Sequence, residues 1–180
     1  LDTNWAKVSD SLFINFTSSE TLLNSSVLIN NSLSNTVNTS DLDWEFSNLI
    51  SSDFMEGQVN FKIFYEDIAG NIGDTISQTS NGSFVNIDKS KPIISILFEG
   101  SDSIDLDHYN DSTSIYLSWE QIDSLSGIKD VFITYNLDTL NIDELVWEQS
   151  QSEFPYYSIE NLSLQNNETY YGAVYARDYA

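Results

Sequence analysis

The stretch SDSIDLDHYND, residues 101–111, places Asp102, Asp105, Asp107, Asn110 and Asp111 in one short span. Oxygen ligands at that density suit a hard cation: Ca²⁺ takes six to eight carboxylate or carbonyl oxygens that a turn brings together. The spacing is not that of an EF-hand, whose loop needs a glycine at the sharp turn and a closing glutamate, and both are missing here. A second set, Asp67, Asp74 and Asp88, lies near the middle of the chain and could converge at a junction. Both sets also have a plainer reading, and it is the commoner one. An acidic run is usually a solvated face, and a turn aspartate bonds its own backbone.

Catalytic constellations are not legible. His108 is the single histidine, and it sits inside the acidic loop with nothing to mark it as a base. No G-x-S-x-G elbow accompanies the many serines, and a hydrolase triad would have to use that one imidazole. A glycosidase needs only two carboxylates at a set separation, a requirement so easily met in this chain that it carries no information. No glycine-rich phosphate loop is present. Trp5, Trp44, Trp147, Phe154, Tyr156 and Tyr157 could include a sugar-stacking platform, with EFPYYS, 153–158, the expected exposed patch. Aromatics that alternate in strands are more often core residues. The expectation is a chain that is not an enzyme.

Charge narrows the partners. The 180 residues carry 28 Asp and Glu against six Lys and Arg, a net charge of −22. That field repels phosphate backbones and anionic membrane surfaces, which argues against nucleic acid as a partner, and it favours divalent cations. There is no cysteine, hence no disulfide, thiolate metal site or cysteine nucleophile. The longest apolar runs, around Ile93–Phe98, fall far short of a membrane span. At 41% hydrophobic, with ten Phe, ten Tyr and four Trp, the chain has ample material for packed cores.

The elements that must position these groups are strands. Leu12, Ile14 and Phe16 alternate with more polar neighbours, as do Val59, Phe61, Ile63 and Tyr65. Ile115, Leu117 and Trp119 follow the same period of two, then Val131, Ile133 and Tyr135, then Tyr170, Gly172, Val174 and Ala176. Such alternation marks half-buried β-strands. Ser, Asn, Asp and Gly clusters between the runs mark turns. Only 138–149 could carry a helical turn. The fold class is all-β.

A phrase recurs: YEDIAGN from Tyr65 and YARDYA from Tyr175 superimpose Asp67 on Asp178 and Ala69 on Ala180. Self-similarity of this kind points to repeated modules. Pro92, which cannot donate to a ladder and holds Lys91 extended, marks a short polar joint. The expected division is 1–91 and 92–180, with Trp44, Phe61 and Ile63 in one core and Trp119, Tyr135 and Val174 in the other. Leu1 in place of Met, and the phrase interrupted at Ala180, lead to the expectation of a segment from a longer polypeptide.

Residues 8–91 resemble a bacterial immunoglobulin-like repeat: VSDSLFINFTSSETL, then a strand ending in the D-x-A-G-N turn at Asp67–Asn71, then FVNIDKSKP. Residues 92–180 resemble a fibronectin type III-like module in STSIYLSWEQID with Trp119, the D-x-x-S-G-I phrase at Asp123, and LSLQNNETYYGAVYARD. The resemblance implies two tandem β-sandwiches, the second lacking its final strand. It also implies that Tyr170, six residues after Leu164, is a corner tyrosine bonded to upstream backbone. The function it implies is a structural or adhesive segment of a secreted or cell-surface protein, bacterial in type. Its partners would be neighbouring repeats of the same polypeptide and a surface glycan or protein. The alternative is an accessory, carbohydrate-binding module of a secreted polysaccharide-degrading enzyme. Ca²⁺ is the one cofactor considered, at Asp102, Asp105, Asp107 and Asp111 or at Asp67 and Asp88.

Overall fold

The computed structural model describes residues 4–99, 108, 110–136, 146–150 and 155–180. The chain divides into two compact units, Leu1–Lys89 and Ser90–Tyr179. The all-β expectation holds, and every regular element of the described residues is a strand.

The first unit contains β1 (Trp5–Ala6), β2 (Ser11–Thr17), β3 (Leu22–Ile29), β4 (Ser32–Leu33), β5 (Asn35–Thr39), β6 (Asp43–Leu49), β7 (Gly57–Gln58), β8 (Phe61–Asp67) and β9 (Asn86–Ile87). Sheets β2-β6-β5 and β4-β3-β8 supply the two inner faces, and the small sheet β1-β9-β7 adds Ala6 and Ile87 to the same core. Alternation does the sorting. In β2, Leu12 is buried while Phe13 on the opposite face is 57% exposed. Val27, Ile29, Phe46, Ile50 and Ile87 are almost wholly buried and form the centre. Ile63 joins them, while Trp44 and Phe61 are half-buried against this centre. The parallel rings of Phe16, Trp44 and Phe46 lie 6.1–6.2 Å apart.

Turn chemistry fixes the register. Asn30 and Asn31 both have positive φ, 50° and 66°, and Ile29 pairs with Ser32. That is the two-residue turn whose twist matches its flanking strands, and asparagine tolerates it better than most side chains. The free edge of β8 is covered by the segment that follows it. Ile63 and Ile76 exchange backbone hydrogen bonds of 2.9 and 3.2 Å, and Gly73 N–H donates to the Tyr65 carbonyl. Gly73 leaves room here for the Tyr65 ring, which would have to shift if a Cβ stood 2.0 Å from it.

The second unit contains β10 (Ile93–Phe98), β11 (Ile115–Ile122), β12 (Ile128–Asn136), β13 (Glu148–Gln149), β14 (Tyr156–Ile159) and β15 (Tyr171–Asp178). Its sheets are β10-β11-β14 and β13-β12-β15, all pairs antiparallel. Leu117 and Ile133 are fully buried between them, with Trp119, Ile115 and Ile159 close behind and Tyr135 and Val174 half-buried around these. Among the described residues β15 pairs with β12 alone. The helical turn expected at 138–149 is not found in its described part, where Glu148–Gln149 is a strand; 138–145 lie outside the described residues.

The corner tyrosine is present. Gln165 N–H donates to the Tyr170 hydroxyl at 2.8 Å. Leu162 and Leu164 bond the carbonyls of Thr113 and Ser112, and with Tyr170 they pack on the core. The amide is on the exposed side, so water can replace the lost acceptor in part. Tyr170→Phe should therefore cost about 1 kcal/mol in urea unfolding, the ordinary worth of one hydrogen bond; an unchanged midpoint would show that the corner bond contributes nothing.

Candidate functional site

The D-x-A-G-N phrase closes β8 with a carboxylate at its centre. Asn71 donates its backbone N–H to Asp67 Oδ1 at 2.8 Å and its side-chain amide to Oδ2 at 2.7 Å. Asp67 N–H returns a bond to the Asn71 carbonyl, and Gly70 N–H reaches the Asp67 carbonyl. Gly70 takes the left-handed conformation at φ 86°, which costs glycine little. Asn71 is not among the positive-φ residues; its part is to donate twice to Asp67. These bonds, the side-chain amide first, hold the Asp67 carboxyl below its ordinary range. The turn borders a cleft of about 420 Å³ whose two carboxylates are Glu20 and Asp67, set among Phe16, Tyr65 and Ile72.

Asp111 plays the equivalent part before β11. Its Oδ1 accepts from the Thr113 hydroxyl at 2.7 Å and the Thr113 N–H at 2.8 Å, and its Oδ2 accepts from the Ser114 hydroxyl. The Thr113 hydroxyl is the chief reason its carboxyl is held low. Both aspartates thus have every oxygen engaged by a local turn, the plainer reading of an acidic residue in a loop. Asp102, Asp105 and Asp107 lie outside the described residues, while His108 and Asn110 are exposed.

Asp88 is 1% exposed and follows β9, with its N–H on the Ala6 carbonyl. It belongs with the small sheet, Asp67 with the β3-β8 sheet, and Asp74 is exposed beyond the turn. Among the described residues no group of three close carboxylates contains Asp67 or Asp74.

Two carboxylates in the second unit escaped the sequence reading as ligands. Those of Asp123 and Asp178 have oxygens within 4.8 Å of each other. Asp123 Oδ1 accepts from Leu125 N–H at 3.1 Å and Gly127 N–H at 2.6 Å, which shapes the D-S-L-S-G loop before β12. Its Oδ2 is buried without a hydrogen-bond partner. Two carboxylates this close, one of them with an oxygen that no donor satisfies, fit a hard cation, for which the pair supplies part of a shell. Each lies in a phrase that the sequence singles out, Asp178 superimposing on Asp67 and Asp123 opening the D-x-x-S-G-I phrase, but neither phrase says that the two meet.

The sequence matches no protein-family profile and no characterised protein significantly. Its fold does have counterparts. Three consecutive titin domains, A168–A170, superimpose with a TM-score of 0.58 at 12% identity, over 98% of this chain and 56% of that one. The FN1–FN3 domains of chicken CNTN1 give 0.44 at 14% identity, over 98% and 57%. The chain therefore spans little more than half the length of these structures. The titin likeness defines the class: immunoglobulin- and fibronectin III-like β-sandwiches.

The Asp67 turn yields a pH test. A carboxyl held below its ordinary value of 3.8 in the folded state adds stability that is complete above that value. The contribution is lost as pH falls through the depressed folded value. The stability gap between the wild-type chain and Asp67→Asn, measured by urea titration, should be widest near neutrality and close in acid. A gap that stays constant with pH would show that the turn does not depend on the charged carboxylate.

Proposed function

We propose that the chain is a non-catalytic structural and adhesive segment of a large extracellular or cell-surface protein. Its first unit would be a bacterial repeat of the D-x-A-G-N type and its second an extracellular fibronectin III-like module. The observation that carries this reading is how the chain leaves the first sandwich. Lys89 donates its N–H to Glu56 at 3.0 Å and its ammonium to the Ser52 and Phe54 carbonyls at 3.1 and 2.8 Å. The backbone is thereby anchored as far as Lys89, and β10 begins at Ile93. Ser90, Lys91 and Pro92 are all that intervene, a joint far too short for a flexible tether. Short joints between sandwiches suit a polypeptide that spaces and presents other domains, or that adheres through many weak contacts whose avidity accumulates.

Two measurements test this reading. Pulled from its ends, the chain should give two unfolding events, each releasing roughly 300 Å of contour for about 90 residues at the extended spacing. A single event would refute independent units. Antibodies raised against the chain should label intact, unpermeabilised source cells or their medium, and labelling only after lysis would refute the extracellular reading.

Ca²⁺ is the ion we propose for the acidic groups. In the second unit the Asp123–Asp178 pair supports it, while Asp102, Asp105 and Asp107 are candidates by sequence alone. Specific binding to the folded state raises the melting temperature with concentration. Ca²⁺ should raise it more than Mg²⁺ at equal ionic strength, because Mg²⁺ demands near-ideal octahedral geometry and keeps its waters. Asp123→Asn should remove the difference. Equal shifts with both ions would reduce the effect to charge screening.

A further inference from the structure

The outer face of the β13-β12-β15 sheet carries a row of rings where a sandwich ordinarily shows polar side chains. Phe132 and Tyr175 face each other across the strands, 4.8 Å between centroids and nearly parallel at 13°. Arg177, the chain's only arginine, lies over Phe132 with its guanidinium carbon 4.7 Å from the ring centre. Beyond Tyr175 comes Trp147, 4.8 Å away and almost perpendicular at 79°. Trp147 leads into β13, on the far side of β12 from Tyr175, so its indole reaches Tyr175 by passing over β12. Thr134 shares the outer face of β12 with Phe132, is only 4% exposed, and donates its hydroxyl to the Val146 carbonyl beside Trp147 at 2.8 Å. The result is a pair of rings, Trp147 and Tyr175, set nearly at a right angle, with Tyr175 39% exposed.

Polar groups border the row at one end. Arg177 meets Asp130 at 2.9 Å, and the Gln149 amide donates to the same carboxylate at 2.8 Å. Asp130 balances the guanidinium, so this end is neutral in a chain that is otherwise strongly acidic. A guanidinium, a carboxylate and an amide together offer donors and acceptors in fixed planes. Ring faces carry negative potential and attract the weakly positive C–H groups of a saturated ring.

We infer that this face binds a neutral oligosaccharide or polysaccharide, with one sugar ring lying on Trp147 against Tyr175 and hydroxyls of the chain meeting Arg177, Asp130 and Gln149. Sugars combine an apolar C–H face with a rim of hydroxyls, and the row presents complements to both. Anionic glycans and nucleic acids are disfavoured by the net charge of −22. The inference does not rest on the role proposed for the tandem segment, and its failure would leave that role untouched.

Native gel electrophoresis of the full chain tests it, in gels cast with a soluble β-glucan, a galactomannan or a xylan, and with polygalacturonate as the acidic control. At least one neutral polysaccharide should retard the chain, and polygalacturonate should not. Trp147→Ala and, independently, Tyr175→Ala should weaken the retardation about tenfold, the size of effect expected for a lost aromatic anchor. Tyr116→Ala is the control: Tyr116 stacks on Tyr156 at 5.8 Å in the other sheet, and its loss should leave retardation unchanged. Thermal melts confirm that each variant is folded. Lack of retardation in all three neutral gels would overturn the inference, as would a folded Trp147 or Tyr175 variant retarded like wild type. Equal loss in Tyr116→Ala would overturn it too.

Discussion

Face-to-face burial between three-stranded sheets is the constraint from which the remaining structure follows. The chain has no disulfide and carries a charge that pushes its parts away from one another. Cohesion must come from the apolar faces, and in each unit a few side chains supply it: Val27, Ile29, Phe46 and Ile87 in the first, Leu117 and Ile133 in the second. Each of these, fully withdrawn from water, contributes on the order of 1.5–3 kcal/mol before entropy is counted. Strand alternation then decides which residues are left outside. Phe132, Tyr175 and Arg177 are on the outer face because Val131, Ile133 and Val174 occupy the inner one.

Period-two patterning made the long strands legible. Leu12–Ile14–Phe16, Phe61–Ile63–Tyr65 and Ile115–Leu117–Trp119 all lie on inward faces, because a half-buried strand has no other way to satisfy its hydrophobic residues. Tyr170 was legible through the fibronectin III-like resemblance, which implied a corner tyrosine six residues after Leu164. The short strands were not. β1, β7 and β9 have two residues each, too few to show any period, and they exist because tertiary partners complete their ladders. The helical expectation at 138–149 failed in its described portion for a similar reason: Gln149 pairs with Phe132, and that ladder overrides local preference.

Site residues were legible by type and less so by place. Counting acids pointed to Asp67 and Asp111, whose oxygens are filled by Asn71, Thr113 and Ser114. That a turn aspartate accepts from its own turn was the commoner reading of both sets, and Asp67 and Asp111 do so. Asp123 and Asp178 approach each other only because β11 ends and β15 ends on the same side of one unit, a fact of topology that spacing along the chain does not encode. The aromatic row was half legible: Trp147 stood out as a ring, but nothing along the chain places Phe132 and Tyr175 beside it.

The joint between the units has a further property that follows from its chemistry. Exposed connections are where proteases nick folded chains. Enzymes of the trypsin type need a basic side chain in a deep acidic pocket, and only six such residues exist here. Two of them, Lys89 and Lys91, stand at or in the joint, and both are poor substrates. The Lys89 ammonium is already held by two backbone carbonyls, and Lys91 is followed by Pro92, whose ring occupies the nitrogen of the bond to be cut. The joint is thus written in residues that such enzymes cannot readily use.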